Sequence, residues 1–337
     1  MTPRDNSVRQ LRGDVLRSVS RSFYLSIRIL PAQLRDPIAL AYLLARATDT
    51  IADTVEIDAN TRMEQLRKLA RMIQGEESAP GSGGSFASFV ALQANAKERA
   101  LIESLAVCFT WLACLPAFDQ ADIRAVLAHI NEGQTLDVQR FANPAELTAL
   151  RTAAELDRYT YLVAGCVGEF WTRVCSHHLA KFTDLPHEQM LSLGREYGKG
   201  LQLINILRDL GADLRAGRCY LPADELNALG LAPEQLLTSG NCADAIVRDW
   251  QERAARGLAA GLEYSCAIKR WRVRFATALP ALIGARTLAL LRAAGTRAFS
   301  ETIKVSRTEV RRIVFRTART LASPGTLAAE FKRLSSL

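Results

Sequence analysis

The amino-acid sequence predicts an all-α fold, a single helical bundle around a central apolar cavity. Three observations lead to this prediction. Apolar residues recur along the chain with the three- and four-residue spacing of amphipathic helices. Capping residues and prolines mark segment ends, and the alternating pattern of a half-buried strand does not occur. No repeat or change of composition marks a second domain, so residues 1–337 are expected to form one domain, with a core at about 15–295 and a basic C-terminal segment at 296–337.

The predicted helices follow one another from the N-terminus. Asp36 is a good N-cap and Pro37 suits a first helical position, so this pair is expected to open a long helix. Asp58 is expected to cap the next helix. Residues 75–88 are rich in Gly, Ser and Pro and predict a loop. The later helices are predicted over residues 89–115, 119–131, 144–181, 187–215, 241–268, 272–295 and 307–322.

Composition narrows the classes of function. The 337 residues are 49% hydrophobic and 23% charged, which is ordinary for a globular protein with a large core. The net charge of +8 favours polyanionic partners. The sequence has no zinc-finger spacing and no basic-aromatic motif of a nucleic-acid module, so nucleic acid is not an expected partner. The seven cysteines are scattered, odd in number and never spaced as CxxC, which favours reduced thiols in the cytoplasm.

Hydropathy along the chain bears on membrane contact. Residues 1–23 lack the apolar region of a secretory signal. The most apolar stretch, residues 275–291, contains Pro280 and Arg286 and is short for a membrane span, so it is predicted to be a buried helix. The tail from Arg307 onward is rich in basic residues, each of which contributes about 1 kcal/mol near an anionic surface. We therefore expect a cytoplasmic protein with peripheral contact to an anionic membrane at its inner face.

Two aspartate pairs, Asp49/Asp53 and Asp209/Asp213, are the most informative feature of the sequence. The four-residue spacing places both carboxylates of a pair on one helix face, where like charges repel. Asp is also a poor residue for a helix interior, and both pairs lie in C-terminal helix segments, where the helix dipole disfavours negative charge. These costs occur twice and indicate a compensating cation. Mg²⁺ takes oxygen ligands, usually one or two carboxylates plus substrate phosphates, so the pairs predict a diphosphate site.

A single acidic pair of this kind would be interpreted as a solvated polar face. On an exposed helix it costs only a few tenths of a kcal/mol, which needs no cation. The neighbouring residues favour the functional interpretation. The first pair follows the apolar run IALAYLLA (38–45), and the second follows GLQLINIL (200–207). A charged pair that follows the most hydrophobic part of its helix is typical of a cavity lining.

Four segments resemble successive signatures of the squalene/phytoene synthase family, in the order that the family has them. They are SRSFYLSIRILP (20–31), RATDTIAD (46–53), YTYLVAGCVGE (159–169) and GLQLINILRDLGADL (200–214). The resemblance implies an isoprenoid-synthase-type helical bundle that joins two prenyl diphosphates head to head with Mg²⁺. Animal and plant members carry an additional Glu beside the last Asp of each acidic motif, where this chain has Ala52 and Ala212. The sequence is therefore most similar to a bacterial squalene synthase.

The resemblance also implies roles for individual residues. The metal ligands implied are Asp49, Asp53, Asp209 and Asp213, with a carbonyl oxygen from Asn205. Contacts to the diphosphate or to a cofactor are implied for Ser20, Arg21, Ser22, Phe23, Arg46, Gln202 and Arg208. Tyr159 matches the tyrosine proposed to assist the first ionisation or the proton loss that follows. Taken without the other motifs, Tyr159 is better interpreted as an aromatic residue at the edge of the core.

The reaction product depends on a further segment. ETIKVSRTEVRR (301–312), here called the flap, resembles the basic segment that approaches the NADPH phosphates in squalene synthases, with Lys304 and Arg307 as the matching residues. The alternative interpretation is a basic helix start that touches anionic lipid. We expect two farnesyl diphosphates to be condensed to presqualene diphosphate, which NADPH reduces to squalene. The second possibility is a phytoene or dehydrosqualene synthase, in which a proton is lost in place of that reduction.

Two other classes of protein have less support. A terpene cyclase or a chain-elongating prenyltransferase usually carries adjacent aspartates in its first acidic motif, and DTIAD (49–53) does not. A non-catalytic helical assembly or binding protein would be favoured by the loss of an acidic residue or of Tyr159. The sequence retains all of them.

Overall fold

The structure is a computed structural model, and it describes residues 3–20, 23–78, 86–143, 145–237, 243–320 and 323–336. These residues are helical almost throughout, which confirms the predicted all-α class. The chain divides into two compact units. One comprises Met1–Ala142 with Arg173–Ala180, and the other comprises Asn143–Thr172 with Lys181–Leu337. The expectation of one domain around a central cavity stays a prediction.

Nine helices lie in the described part of the first unit. Their bounds are α1 Pro3–Gln10, α2 Leu16–Ser20, α3 Phe23–Ile29, α4 Ala32–Asp53, α5 Ala59–Gln74, α6 Ala87–Leu92, α7 Ala96–Glu103, α8 Leu105–Ala113 and α9 Ala117–Arg140. A π-helical turn, Leu11–Val15, joins α1 to α2. Helix α4 packs on α5 and α9. Two buried polar side chains tie these helices together: Arg62 Nη1 donates to the Ala52 carbonyl at 2.6 Å, and Asn131 Nδ2 donates to the Leu66 carbonyl at 2.9 Å.

Helix α4 begins earlier than the sequence predicts. Its first residue is Ala32 and its N-cap is Pro31, so the predicted start at Asp36 and Pro37 is wrong and Pro37 lies inside the helix. Burial of Leu34 and Pro37 stabilises this first turn. Asp36 does not cap the helix, because its carboxylate pairs with Arg12 instead. The predicted cap of α5 is confirmed, since Asp58 Oδ1 accepts from the Thr61 amide at 3.0 Å.

The predicted helix over residues 89–115 is three helices in the structure. Helix α6 ends at Leu92, α7 begins after Asn95, and Ser104 separates α7 from α8. The Asn95 side chain caps α7 by accepting from the Lys97 amide at 3.1 Å. Asn is a strong capping residue, and it interrupts an apolar pattern that would otherwise continue. The predicted helix over 119–131 is longer than expected and extends to Arg140.

The described residues of the second unit form eight helices and two short strands, and α11 extends into the first unit. Their bounds are β1 Thr148–Leu150, α10 Ala153–Thr160, α11 Cys166–His178, α12 His187–Arg215, β2 Arg218–Pro222, α13 Ala223–Ala228, α14 Asp244–Ala267, α15 Trp271–Ala294, α16 Arg307–Thr320 and α17 Pro324–Ser335. A π-helical turn, Tyr161–Gly165, joins α10 to α11. Two 3₁₀ turns, Pro233–Leu236 and Gly295–Phe299, lie before α14 and after α15.

The expectation of no strands and of one helix over 144–181 is wrong in detail. Thr148 and Arg218 are partners in a two-stranded parallel sheet whose register shifts before Leu150. The strands are 70 residues apart and each is too short to give an alternating pattern, so the pairing has no signal in either segment alone. Gly217, at φ +79°, makes the turn that leads from α12 into β2.

Helix α12 is the central helix of the second unit and packs on α14, α15 and β2. Its observed bounds, His187–Arg215, agree with the prediction. The predicted burial of residues 275–291 is also confirmed, since most of this stretch lies in the core. Trp271–Phe299 is the one segment in the described part of the chain that is long and apolar enough to span a membrane. The fraction of its apolar window buried in the protein is 72%, the pattern of a core helix.

Candidate active site

The first acidic pair lies at the end of α4, in the first unit. Asp49 forms an ion pair with Arg46, one turn earlier. Gln134 Nε2, from α9, donates to the other carboxylate oxygen of Asp49 at 3.0 Å. Arg46 Nη2 also donates to Glu98 of α7 at 2.5 Å. Three helices therefore position one guanidinium and one carboxylate, while Asp53 follows at the exposed end of the helix.

The electrostatics of this pair disfavour two bare negative charges. Burial, and after it the charge of Asp53, raise the pKa of Asp49 to about 6 even though Arg46 and Gln134 act to lower it. A raised pKa means that the surroundings stabilise the neutral carboxyl more than the carboxylate. Asp49 still keeps a third of its side-chain surface exposed to solvent. A cation that reached this surface would relieve the repulsion that raises the pKa.

The second acidic pair lies near the end of α12, in the second unit. Arg208 Nε donates to Asp209 Oδ1 at 2.9 Å, and Arg208 Nη2 contacts the other oxygen. Arg208 Nη1 donates to Asn205 Oδ1 at 3.0 Å, and Asn205 Nδ2 donates to Gln202 at 3.4 Å. The hydrogen bond to Asp209 raises the pKa of Arg208, so its positive charge is held firmly. The structure thus brings four of the predicted residues into one polar row on α12.

Each unit therefore carries the same set of groups: two carboxylates one turn apart, a guanidinium that contacts the first of them, and an amide. Sequence reasoning missed Glu98 and Gln134, which complete the set around Arg46 and Asp49. They lie 52 and 85 residues from their partners. Neither belongs to a motif, so the only signal that identifies them is the packing of α7 and α9 against α4.

The donor atoms of both pairs are oxygens, which fits Mg²⁺. Among the described residues, no three His, Cys, Asp or Glu side chains converge on one point as a complete metal centre. Two carboxylates alone are the set that Mg²⁺ uses, because it keeps several waters and shares substrate phosphates. The residues that would hold it are Asp49 and Asp53 in the first unit, and Asp209, Asp213 and the amide oxygen of Asn205 in the second. These metal assignments stay predictions.

Tyr159 is buried on α10 and stacks on Tyr220 of β2, with ring centroids 5.1 Å apart. It lies two residues before the π-helical turn Tyr161–Gly165, a feature frequent at functional sites. Asp213 is close to this region, because its charge contributes to the raised pKa of Cys219, which burial brings to about 12. The tyrosine pair therefore lies beside the end of α12 that carries the second acidic pair.

The first signature is described only in part. Ser20 is buried, and its hydroxyl donates to the Leu16 carbonyl at 2.5 Å within α2. Arg21 and Ser22 lie outside the described residues. Phe23 is the first residue of α3. The implied contacts of these four residues to a diphosphate stay predictions.

The flap begins close to the second acidic pair. The Phe299 carbonyl packs against Gly211, where a Cβ would lie 2.0 Å from the oxygen, and it accepts from Arg215 Nη1 at 3.0 Å. Lys304 follows Phe299 by five residues, a span of at most about 17 Å. Lys304 and Arg307 are exposed, and neither pairs with a carboxylate of the described residues. Exposed, unpaired cations of this kind fit a phosphate-bearing cofactor.

The helical fold and the two oxygen-donor pairs match the class of proteins that handle diphosphate esters with a divalent cation, and for this chain that chemistry stays a prediction. The comparisons with known proteins identify the family. Residues 16–309 match the squalene/phytoene synthase family model, and the chain belongs to that family. This confirms the resemblance of the four sequence signatures.

The names of the individual relatives indicate different reaction products. A squalene synthase of Yarrowia lipolytica is 30% identical over 214 residues, 63% of this chain and 44% of that protein. A 15-cis-phytoene synthase of Synechocystis is 27% identical over 230 residues, 66% of this chain and 58% of that protein. The chain thus spans about half the length of these curated relatives. The solved structure of TcSQS with the ligand BPH1237 has a TM-score of 0.78 at 22% identity and covers 98% of this chain and 92% of that one, which shows the shared fold.

Proposed function

We propose that this protein joins two farnesyl diphosphates head to head to presqualene diphosphate and reduces that intermediate to squalene with NADPH. One observation carries the proposal: each compact unit holds its own carboxylate pair with an arginine and an amide beside it. A head-to-head reaction has two diphosphate-bearing substrates and must accommodate the negative charge of both. Two similar sets of groups, in a chain of this family, match that requirement.

The chain's own residues bind and orient the reacting groups. Arg46 and Arg208 present forked guanidinium groups, which suit bidentate contacts with phosphate oxygens. Mg²⁺ held by the two aspartate pairs would supply positive charge to the leaving diphosphate. Ionisation breaks the allylic C–O bond of the first substrate and leaves the electron pair on oxygen. The double bond of the second substrate then forms a bond to the cationic carbon, and loss of a proton closes the cyclopropane ring. In this scheme the Tyr159 hydroxyl assists the ionisation or takes part in moving that proton.

The second half-reaction distinguishes the proposed product from the alternative. Ionisation of presqualene diphosphate gives a second cation and releases the second diphosphate. NADPH, if held by the flap, would supply the hydride that quenches this cation. Lys304 and Arg307 of the flap are proposed to hold the cofactor phosphates, a role supported by their exposure and by the anchoring of Phe299 beside Gly211. In a phytoene or dehydrosqualene synthase the second cation loses a proton and no hydride is needed. The mixed names of the relatives give this alternative its support.

The proposed product also bears on where the protein acts. A hydrocarbon of this size is insoluble in water and needs a lipid phase to accept it. We therefore propose a cytoplasmic enzyme that works at the inner face of the membrane. The predicted similarity to a bacterial squalene synthase agrees with this location, and that similarity is itself still a prediction.

The test is a product analysis with the purified full chain. Farnesyl diphosphate and Mg²⁺ are supplied with and without NADPH, and the lipid product is identified by mass spectrometry. Squalene with NADPH and presqualene diphosphate without it would support the proposal. Dehydrosqualene in both reactions would support the alternative, and a parallel reaction with geranylgeranyl diphosphate would reveal a phytoene synthase. No product from either substrate would favour a binding protein.

A further inference from the structure

Two exposed aromatic side chains in the second unit each have an arginine above one ring face. Trp271, the first residue of α15, is 54% exposed, and the Arg272 guanidinium carbon lies 5.3 Å from its ring centroid. Phe315 of α16 is 58% exposed, and the Arg319 guanidinium carbon lies 4.3 Å from its ring centroid. Single exposed apolar side chains are normal on a protein surface, so what distinguishes these two rings is the arginine that each carries.

Unpaired positive charge surrounds both rings. Arg270 flanks Trp271 on the other side, and Arg311, Arg312 and Arg319 lie within one turn of Phe315. Together with Arg272 these are five arginines, and none of them pairs with a carboxylate in the part of the chain that the structure describes. Four nearby cations differ in this respect, because they have acidic partners: Lys269 with Asp184, Arg286 with Glu309, and Arg316 and Arg333 with Glu330.

The two aromatic residues lie on α15 and α16, two helices of the second unit that pack against each other. Cys266, near the end of α14, contacts the Pro324 carbonyl at the start of α17, with 3.8 Å between sulfur and oxygen. Trp271 follows Cys266 by five residues. Helix α16 ends at Thr320, four residues before Pro324, and four residues span at most about 14 Å. The pairing of Arg286 with Glu309 at 2.6 Å also holds α16 against α15.

We propose that this surface, here called the aromatic–arginine surface and formed by Trp271, Phe315 and the five unpaired arginines 270, 272, 311, 312 and 319, docks onto an anionic lipid bilayer. Tryptophan and phenylalanine partition into the headgroup region, and basic residues are attracted by anionic lipids. The arginine over each ring can contact a lipid phosphate while the ring edge enters the bilayer. Stacking of nucleic-acid bases needs free ring faces, and one face of each ring carries a guanidinium. The same rings and charges therefore match a lipid surface better than RNA.

The charge part of the proposal is tested by co-sedimentation of the full chain with vesicles. Phosphatidylcholine vesicles are compared with vesicles that also contain phosphatidylglycerol, over a series of salt concentrations. We expect binding to the anionic vesicles that weakens as salt rises. Arg311→Gln with Arg312→Gln should lower the partition coefficient about 25-fold, because each arginine contributes about fivefold, or about 1 kcal/mol. Arg248→Gln with Arg256→Gln on α14 makes the same change in charge at exposed positions outside the surface and should leave binding unchanged.

The apolar part is tested with Trp271→Ser and Phe315→Ser, alone and together. The double variant should lose most binding at high salt, while Leu229→Ser, at another exposed apolar residue, should retain it. The wild type should show a blue shift of tryptophan emission on vesicle binding that Trp271→Phe abolishes. Equal binding to neutral vesicles, full binding by the double variant, or binding of RNA or heparin with no binding of vesicles would overturn the proposal. Arg311 and Arg312 lie in the flap, but vesicle binding is measured without substrate or cofactor, so the result is independent of the proposed reaction.

Discussion

The ring of Tyr159 stacks on the ring of Tyr220, with centroids 5.1 Å apart and an angle of 25° between the planes. Tyr159 belongs to α10, and Tyr220 belongs to the strand that leaves the end of α12. The stack therefore fixes the ring of the proposed catalytic tyrosine against the segment that follows Asp209 and Asp213. Packing of the ring and chemistry of the hydroxyl are separable, and a single-atom change separates them.

Tyr159→Phe should lower turnover about a hundredfold or more, the usual magnitude for loss of a positioned acid–base group. The ring and its stack on Tyr220 remain, so the thermal midpoint should stay unchanged. Steady-state turnover of farnesyl diphosphate and thermal melting measure the two effects. Tyr220→Phe is the matched control and should retain turnover. A Tyr159→Phe protein that is destabilised but fully active would show that Tyr159 is a core residue and not a catalytic one.

Asp49→Asn and Asp209→Asn should each abolish turnover while the protein stays folded. Each substitution removes one carboxylate from a proposed Mg²⁺ pair and keeps the size of the side chain. Asp249→Asn, an exposed position on α14, is the control for loss of one acid. Turnover is measured across a titration of Mg²⁺, with circular dichroism as the check on folding. Near-wild-type turnover of either variant at limiting Mg²⁺ would contradict the ligand assignment.

The pKa of Asp49 predicts a pH dependence of stability in the absence of Mg²⁺. The folded pKa of about 6 exceeds the ordinary value of 3.8, so between these values the folded state binds more protons than the unfolded state. The contribution of Asp49 to stability is therefore full below about pH 3.8 and is lost as the pH rises through about 6. Asp49→Asn stays neutral and avoids this loss. Its thermal midpoint should exceed that of the wild type above pH 6, and the difference should shrink toward pH 4.

The opposite order of midpoints above pH 6 would show that the ion pair with Arg46 outweighs burial and the repulsion of Asp53. The same melting series with saturating Mg²⁺ should raise the wild-type midpoint more than that of Asp49→Asn, because the variant has lost one ligand and keeps only the second acidic pair intact.

Gly168→Ala should destabilise the second unit strongly. A Cβ at this position would lie 1.8 Å from the Gly194 carbonyl oxygen of α12, so the two helices would have to separate. Overpacking of this kind costs about 3 kcal/mol or more. Gly13→Ala is the control, because a Cβ there meets nothing within 4 Å and should be tolerated. Chemical denaturation measures the free energy of unfolding of both variants. Equal stability of Gly168→Ala and the wild type would contradict the close packing of Gly168 on Gly194.

Replacement of Lys304 and Arg307 by Ala should spare the first half-reaction and impair the second. The carboxylates and Tyr159 act on carbon–carbon joining, whereas the flap is proposed to act only when hydride is delivered. The double variant should therefore accumulate presqualene diphosphate from farnesyl diphosphate even with NADPH present. Arg248→Ala with Arg256→Ala removes the same charge elsewhere and should make squalene at the wild-type rate. A wild type that makes only dehydrosqualene with NADPH present would refute the role of the flap.

The sequence by itself determined the helical class, the family and the two acidic pairs. These depend on local order: the apolar period of a helix, the cap at Asp58, and carboxylates four residues apart. Helix α12 illustrates this. Pro186 precedes it, and its predicted bounds are the observed ones. Its acidic pair, Asp209 and Asp213, can be identified from the sequence alone. Local rules failed where burial opposed them, as at Pro37, which lies inside α4 because the apolar residues on both sides of it are in the core.

Only the tertiary structure decided which side chains surround the predicted ones. Gln134 reaches Asp49, Glu98 reaches Arg46, and Tyr220 covers Tyr159 from segments 85, 52 and 61 residues away. None of these partners carries a motif, because their positions follow from which helix faces are buried against each other. The aromatic–arginine surface has the same origin: Trp271 and Phe315 are ordinary apolar residues in the sequence, and only the packing of α14 to α17 leaves them exposed. Contacts between distant segments depend on the burial of whole faces, which no local pattern contains.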